Sequence, residues 1–396
     1  MSSLRLTAFV TMTLLAACPL FAQPAATRPG AAEREELRRR ARPLIERGLR
    51  FLESAQAADG GWRARGSQSD PAITALAAKA FIQNPGHGPG HAVSKRALAL
   101  VVSYQQPDGG IYNPQVGYAN YTTSVALMML AAAKDRSLER SIQAAQNYLK
   151  HNQWDEDKDD PSGKRVDQTH VWYGGAGYGD GKTRPDLSNT QMMLEALHES
   201  GLPSDDPVYK KALCFISRCQ MLGETNDQPF AQGARDGGFI YSPASGGESK
   251  SLEAARVENR EFPRSYGSMT YAGFKSMLYA AVDRNDPRVQ AAWQWIGRYY
   301  TLDQNPNMPG AQSRQGLFYY YHVFAKALRA YGESHVVDSK GLRHDWRADL
   351  VDKLAGLQRA DGSWINTADR WMEDNPYLVT AYSVLALQEV LAETSR

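Results

Sequence analysis

A glutamine-headed, glycine-rich turn recurs along this chain and constrains its fold more than any other feature. It reads Gln56-Ala57-Ala58-Asp59-Gly60-Gly61-Trp62, then Gln105-Gln106-Pro107-Asp108-Gly109-Gly110-Ile111. Near the C-terminus it reads Gln358-Arg359-Ala360-Asp361-Gly362-Ser363-Trp364, and Arg235-Asp236-Gly237-Gly238-Phe239 is a partial copy. Each copy follows an amphipathic helical pattern, and recurrence at roughly 50 residues makes one helical pair the building unit. The turn has a structural task that needs no chemistry. Glutamine bonds free backbone groups, the glycines supply positive φ, aspartate caps the next turn, and tryptophan packs over the junction. These residues are expected to staple the repeats together and are not site candidates.

Each unit reads as an outer helix, the turn, and a more apolar inner helix. In the first, Leu44, Ile45, Leu49 and Leu52 recur at helical spacing, and the inner helix opens after Asp70-Pro71. The second inner helix resumes at Tyr121. The third unit starts at Leu138, ends its outer helix near Gln153-Trp154, and crosses a long polar loop to Asp186. The fourth starts at Asp206-Pro207 and re-enters helix at Tyr266, and the fifth runs from Asp286-Pro287 to re-entry near Leu317. The sixth spans Trp346 to Gln358 and re-enters at Asn375-Pro376. Six pairs are enough for the array to close on itself, which removes the ends an open solenoid must cap.

Over 396 residues, Lys+Arg 45 against Asp+Glu 43 leave a charge of +2, which gives no electrostatic footprint for nucleic acid. A hydrophobic fraction of 42% supplies an ordinary globular core. The N-terminus carries Arg5 and an apolar run from Leu6 to Ala17, too short to span a bilayer. Residues 1–22 are therefore expected to be an export signal, and the periplasm or cell envelope the destination. Leu15-Ala16-Ala17-Cys18 resembles a bacterial lipoprotein box, which implies cleavage before Cys18 and acylation of its sulfur. Ordinary cleavage near Ala22 is the other reading. Residues 23–39 read as a Pro/Ala-rich and then charged tether, so any membrane attachment would come through that N-terminal lipid. Cys214 and Cys219, five apart on one predicted helix, point to different faces and read as buried small hydrophobes.

The repeated turn closely resembles the repeats of squalene–hopene cyclases and protein prenyltransferase β subunits, over roughly residues 40–392. The resemblance implies an all-α fold over residues 40–396: an α/α toroid of six hairpins, inner helices ringed by outer ones. Activity does not transfer with a fold. Such cyclases protonate an alkene with an Asp-x-Asp-Asp-Thr-Ala motif at an inner-helix start, and they use two toroid domains. Here Asp157-Lys158-Asp159-Asp160 lies in a polar loop with no Thr-Ala after it. A catalytic acid needs desolvation and an ordered partner, so this run reads as solvated loop. A calcium loop through Asp155, Asp157 and Asp159 is the alternative. The prenyltransferase zinc pattern, Asp-x-Cys with a later His, has no match: Ala212 and Ser217 stand two before the cysteines, and His322 reads as packing. The Gly-Cys-Gly-Glu-Gln segment of complement thioester domains is missing too. No cofactor or metal is identified.

In a toroid the inner-helix N-termini meet at one mouth, where their dipoles favour polar or anionic groups. Asp70, Asp186 and Ser188 there suit helix caps, while Tyr118, Tyr266 and Tyr320 are less needed as caps and are expected to line a pocket. The loop from Asp167 to Asp186 gathers His170, Tyr173, Arg184 and the glycines 174, 175 and 177, and long loops on rigid scaffolds are frequently functional. Three functions compete. In the first, the cavity binds, or binds and transforms, an isoprenoid or other apolar ligand; Asp186 is the acid, and Tyr118, Tyr266, Tyr320 and Asn189 contact the ligand. In the second the partner is a glycan, handled by His170, Tyr173, Arg184 and Asp186. The third is a non-catalytic envelope scaffold. The first is favoured.

Overall fold

Twelve α-helices of two alternating kinds make up about half of the described residues. The computed structural model describes residues 30–64, 66, 68–179, 183–251, 253–257 and 260–393. The expected signal segment, with Cys18, lies outside them. The outer helices are α1 (Ala31–Ser54), α3 (Ala92–Ser103), α5 (Glu139–Asn152), α7 (Pro207–Cys219), α9 (Pro287–Arg298) and α11 (Trp346–Leu357). The inner helices are α2 (Pro71–Ile82), α4 (Ala119–Ala133), α6 (Leu187–Glu199), α8 (Gly267–Tyr279), α10 (Leu317–Tyr331) and α12 (Pro376–Leu391). Burial follows composition. Outer α7 buries one stripe, Val208, Tyr209, Ala212, Phe215, Ile216, Arg218 and Cys219, whereas every residue of inner α2 is buried. Proline opens α2, α7, α9 and α12, each behind an Asp or Asn whose side chain accepts first-turn N–H groups.

The inner helices touch in a closed cycle: α2 on α4, α4 on α6, α6 on α8, α8 on α10, α10 on α12, and α12 back on α2. First helix α1 packs mainly against last helix α12. Two expectations are corrected. Residues 31–39, read as tether, are the opening turns of α1 and bury Leu37, because the charged positions face outward around that leucine. The fold is also not purely helical. Three short antiparallel hairpins occupy inserts between helices: β1 (Gln220–Leu222) with β2 (Arg235–Phe239), β3 (Ala255–Val257) with β4 (Arg260–Phe262), and β5 (His335–Val337) with β6 (Arg343–Asp345).

Five glutamines staple successive pairs. Each donates from Nε2 to a glycine carbonyl of its own turn and to a carbonyl of the next outer helix, in its first turn for the first four and mid-helix in α1 for the fifth. Gln56 reaches Gly60 and Val93, and Gln105 reaches Gly109 and Ser141. Gln153 reaches Gly174 and Val208, and Gln220 reaches Gly237 and Arg288. Gln358 reaches Gly362 at 2.9 Å and, across the chain, Leu44 of α1 at 3.0 Å. The glycine is obligatory here: Gly362 has φ +89°, and an added Cβ would stand 2.5 Å from the Arg47 carbonyl oxygen. A second staple comes from the inner helices. Thr74, Thr123, Thr190, Thr270 and Thr380 each accept, on Oγ1, the N–H that follows the glycines of the turn.

At the far end of the inner helices the centre is ionic. Glu195 bonds both Lys275 and Lys326; Lys326 also bonds Glu199 at 2.6 Å, and Lys79 lies 3.1 Å from Glu199. Arg329 pairs with Glu389. Lys79, Glu195, Lys275 and Lys326 are at most 4% exposed, so four inner helices contribute to a buried charged floor. No described helix is long and apolar enough to cross a membrane.

Gln358→Leu removes both bonds of the closing staple and leaves two carbonyls without their donor. An unsatisfied buried acceptor costs about 1–3 kcal/mol. Urea unfolding should therefore show a loss of about 2 kcal/mol or more at unchanged m-value. An unaltered midpoint would show that α1 is held on the last unit without the staple, by apolar packing and the Arg40–Asp352 ion pair.

Candidate functional site

All six inner helices begin around one cavity of about 490 Å³. Asp70, Pro71, Ala72 and Ile73 reach it from α2, Tyr118, Tyr121 and Thr122 from α4, and Ser188, Asn189 and Met192 from α6. Tyr266, Ser268 and Met269 line it from α8, Tyr319 from α10, and Leu378 and Tyr382 from α12. Tyr178 and Tyr241 arrive on loops, and Ala64, Asn113, Val116, Gly117, Trp371, Met372 and Glu373 complete the wall. Val116, Tyr118 and Trp371 are large apolar residues that are also solvent-exposed. Two of these adopt left-handed backbone, Tyr118 at φ 58° and Trp371 at φ 59°, as does Met372 at φ 63°. Non-glycine residues hold that conformation only when their surroundings over-determine it.

Five of the six helix starts are already capped. Asp70 Oδ1 accepts from Ala72 and Ile73 N–H, both at 2.9 Å. Asn375 does the same for α12. Asn305 Oδ1 accepts the Ser268 N–H on α8 at 2.9 Å. Asp186 accepts the Asn189 N–H at 2.9 Å, the Ser188 hydroxyl at 2.7 Å and the Asn189 side-chain amide at 2.8 Å. On α10 the work falls to Glu373, 54 residues away: Oε1 accepts the Tyr319 N–H at 2.8 Å and Oε2 the Asn366 amide at 2.6 Å. Among the described residues only α4 starts without a side-chain cap, at Tyr118.

Burial governs the titrations. Desolvation raises Asp70 and Asp186 above the usual aspartate range despite their hydrogen bonds, and lifts Glu373 to about 7. It also pushes the Tyr121 phenol, 3.0 Å from the Tyr382 hydroxyl, up to about 12. The Tyr121 phenol is therefore a neutral hydrogen-bonding group at any physiological pH, and Asp70 and Glu373, which face the cavity, are weak acids.

The sequence candidates divide. Tyr118, Tyr266, Asn189 and Ser188 line the cavity. Asp186 sits behind Ser188 and Asn189 as the cap of α6 and is fully buried. Tyr320 does not face the cavity: its hydroxyl donates to the Thr301 carbonyl at 2.8 Å, and its ring packs edge-on against Tyr271. Its neighbour Tyr319, one helical step of 100° away, is the lining residue. His170 and Tyr173 are drawn into the long loop's own structure, His170 Nε2 to Asp160 at 3.2 Å and the Tyr173 hydroxyl to Glu156 at 2.7 Å. Arg184 pairs with Glu248 and lies 5.7 Å from the centre of the Tyr241 ring, so it touches the wall only through that tyrosine.

The acidic run is occupied by cations of the chain. Asp155 pairs with Lys158 and Lys211, and Asp159 with Arg165. Among the described residues no three His, Cys, Asp or Glu side chains are placed to hold a metal ion. His322 stacks on Tyr382 with ring centres 5.4 Å apart, and burial pushes its pKa well down. Cys219 is buried and Cys214 half-buried, both free.

Two features escaped the sequence reading. Glu373 sits in a charged-looking stretch, Arg370-Trp371-Met372-Glu373-Asp374, with no local sign that it caps a distant helix. The start of α6 reads Asp186-Leu187-Ser188-Asn189-Thr190, which keeps the spacing of Asp-x-Asp-Asp-Thr-Ala but replaces the two central carboxylates by a hydroxyl and an amide.

No protein-family model matches the chain. Over 81 residues it is 47% identical to a drimenyl diphosphate synthase from Streptomyces showdoensis, a match covering 20% of this chain and 15% of that relative. Among solved structures, the type II terpene cyclase MstE from Scytonema superposes with a TM-score of 0.55 at 14% identity, in a form bound to merosterolic acid A (product) and a form bound to geranylgeranyl dihydroxybenzoate (substrate). Each superposition covers 90% of this chain and 99% of that one. A protein from Actinoplanes matches at TM-score 0.53 and 18% identity, over 89% of this chain and all of its own. An alpha-amylase from Clostridium perfringens matches at 0.51 and 12%, over 87% and 97%. These likenesses show a terpenoid-cyclase-like helical fold.

Glu373 gives a pH signature with a definite sign. Its folded pKa of about 7 lies above the unfolded value of about 4.3. Between those values the folded chain holds a proton that the unfolded chain has lost, so this group lowers stability as pH rises through that window. The stability of wild type minus that of Glu373→Gln should fall by on the order of 3 kcal/mol from pH 4.5 to 7.5, read from urea midpoints. A flat difference would show that Glu373 is ionised in the folded chain throughout.

Proposed function

We propose that this chain is an α/α toroid that binds an isoprenoid, or a closely similar apolar ligand, in the cavity where its inner helices begin. The observation that carries the reading is the wall itself. Seven tyrosines and three methionines, with Ile73 and Leu378, surround about 490 Å³, a volume typical of small-molecule pockets. Aromatic faces and thioethers suit a branched, unsaturated chain. The cyclic order of inner-helix contacts supports the toroid. The names of the drimenyl diphosphate synthase relative and of the cyclase holding geranylgeranyl dihydroxybenzoate support the isoprenoid class.

The reading stops at binding. Protonating an isolated alkene demands an acid far stronger than an ordinary carboxylic acid, and burial shifts Asp70 and Glu373 toward weaker acidity. Asp186, the acid expected from sequence, is spent on capping α6 and orienting Ser188 and Asn189. A glycan would call on His170, Tyr173 and Arg184, and those side chains are engaged in the outer loop. Export is part of the proposal, supported by the apolar run before Cys18 and its lipoprotein-like box.

The test is organic extraction of the purified chain and mass spectrometry, followed by reloading from a mixture of C15 to C30 isoprenoids. Wild type should carry or take up close to one isoprenoid per chain. Met269→Trp, which fills the cavity, should lower uptake at least 10-fold, while Met269→Leu retains it. A wild-type chain that neither carries nor takes up any isoprenoid would end the reading.

A further inference from the structure

Two tyrosine hydroxyls meet across the ring at the inner part of the cavity. Tyr121 of α4 and Tyr382 of α12 stand on helices that flank α2 in the cycle, and their hydroxyls lie 3.0 Å apart. Both side chains line the cavity. Tyr382 lies six residues along α12 from Pro376, about 9 Å beyond the helix start at a rise of about 1.5 Å per residue. The pair therefore sits below the rim, toward the ionic floor.

Two hydroxyls joined by one hydrogen bond hold two protons and use one. Whichever way the bond runs, the second proton has no acceptor within the pair. Burial decides which hydroxyl keeps it. Tyr382 is 6% exposed, with His322 stacked on its ring, so its proton has to be used inside the fold. Tyr121 is only half-buried, and its open surface belongs to the cavity that it lines. Tyr382 is therefore the donor of the pair, and the spare proton is that of Tyr121. Burial, with the Asp70 carboxyl nearby, holds that phenol at about 12, so the proton is present at any physiological pH. The neighbouring Tyr319 hydroxyl is already joined to the Gln191 amide, at 2.9 Å. The count at the first pair stands whichever way that amide faces.

We infer that the ligand carries a neutral acceptor oxygen, an ether, carbonyl or hydroxyl, at its inner end, and that the Tyr121 hydroxyl donates to it. This rests on the isoprenoid reading and adds one polar atom and its place to an otherwise apolar chain. A charged group at that depth would lose its hydration in return for a single hydrogen bond. Tyr121 is then the specificity residue. Tyr382 is a positioning residue, because its bond to the Tyr121 oxygen fixes the direction in which the remaining proton can turn.

The experiment is equilibrium dialysis of the full chain with four probes built on one C15 prenyl chain: the methyl ether, the aldehyde, the carboxylate and the hydrocarbon. Ether and aldehyde can only accept, and each should bind about fivefold or more tightly than the hydrocarbon, the effect of one hydrogen bond. In Tyr121→Phe that ratio should fall to within about twofold. In Tyr382→Phe it should persist, since Tyr121 keeps its proton. A pair with a merely structural role would respond alike to either substitution and leave the ratio near one throughout. A wild-type ratio near one overturns the inference and leaves isoprenoid binding standing, a comparison that needs no variant to fold. So does a carboxylate held more tightly than the aldehyde, or a ratio that survives in Tyr121→Phe. If none of the four binds, the isoprenoid reading falls and this inference with it.

Discussion

The bond from Gln358 to the Leu44 carbonyl is the contact on which the architecture turns. The other four glutamines tie one unit to the unit that follows in sequence, and the same chemistry in a linear array would leave the last glutamine without an acceptor. Here the acceptor is supplied by the first helix. Using α1 as the outer helix beyond the sixth unit gives every glutamine the same two carbonyls. The array is thereby limited in number, because the docking position for a further outer helix is already filled.

Closure has a chemical effect at the helix starts. Six parallel inner helices bring six partial positive charges toward one space. Left bare, that space would be a general anion trap. The chain instead covers the starts with carboxylates and amides, some local in sequence, as at Asp70, and some remote, as at Glu373 on α10. Those oxygens are consumed by backbone N–H groups. What remains facing inward is mostly aromatic and thioether surface with a few hydroxyls, a lining better suited to hydrocarbon than to salt.

Helices were easier to read than cavity residues, for reasons visible at particular positions. Proline after Asp70, Asp206, Asp286 and Asn375 announced four helix starts, because that pair satisfies local geometry. The glutamine staples were legible where motif and turn are contiguous, at Gln56, Gln105 and Gln358. Gln220 was missed because a hairpin separates it from Gly237, and nothing local links the two. Tyr320 and Tyr319 show the finer limit: three consecutive tyrosines lie on one helix, and which one faces inward depends on rotation about the axis, set by packing against α8 and α12. Glu373 belongs to the class of contacts that sequence spacing cannot reveal, since its partner helix lies 54 residues upstream.

The buried ionic floor at the other end of the inner helices has a consequence for traffic. Glu195, Lys275 and Lys326 are sealed against one another with almost no exposure, and parting such a cluster would strand charges in a dry interior. A hydrophobic molecule cannot thread past it. On the proposed reading a ligand would enter at the opposite end, where, among the described residues of the wall, the exposed side chains of Val116, Tyr118 and Trp371 lie. On that reading a resident must leave before a successor enters. Both would pass the rim where the left-handed backbones of Tyr118 and Trp371 lie.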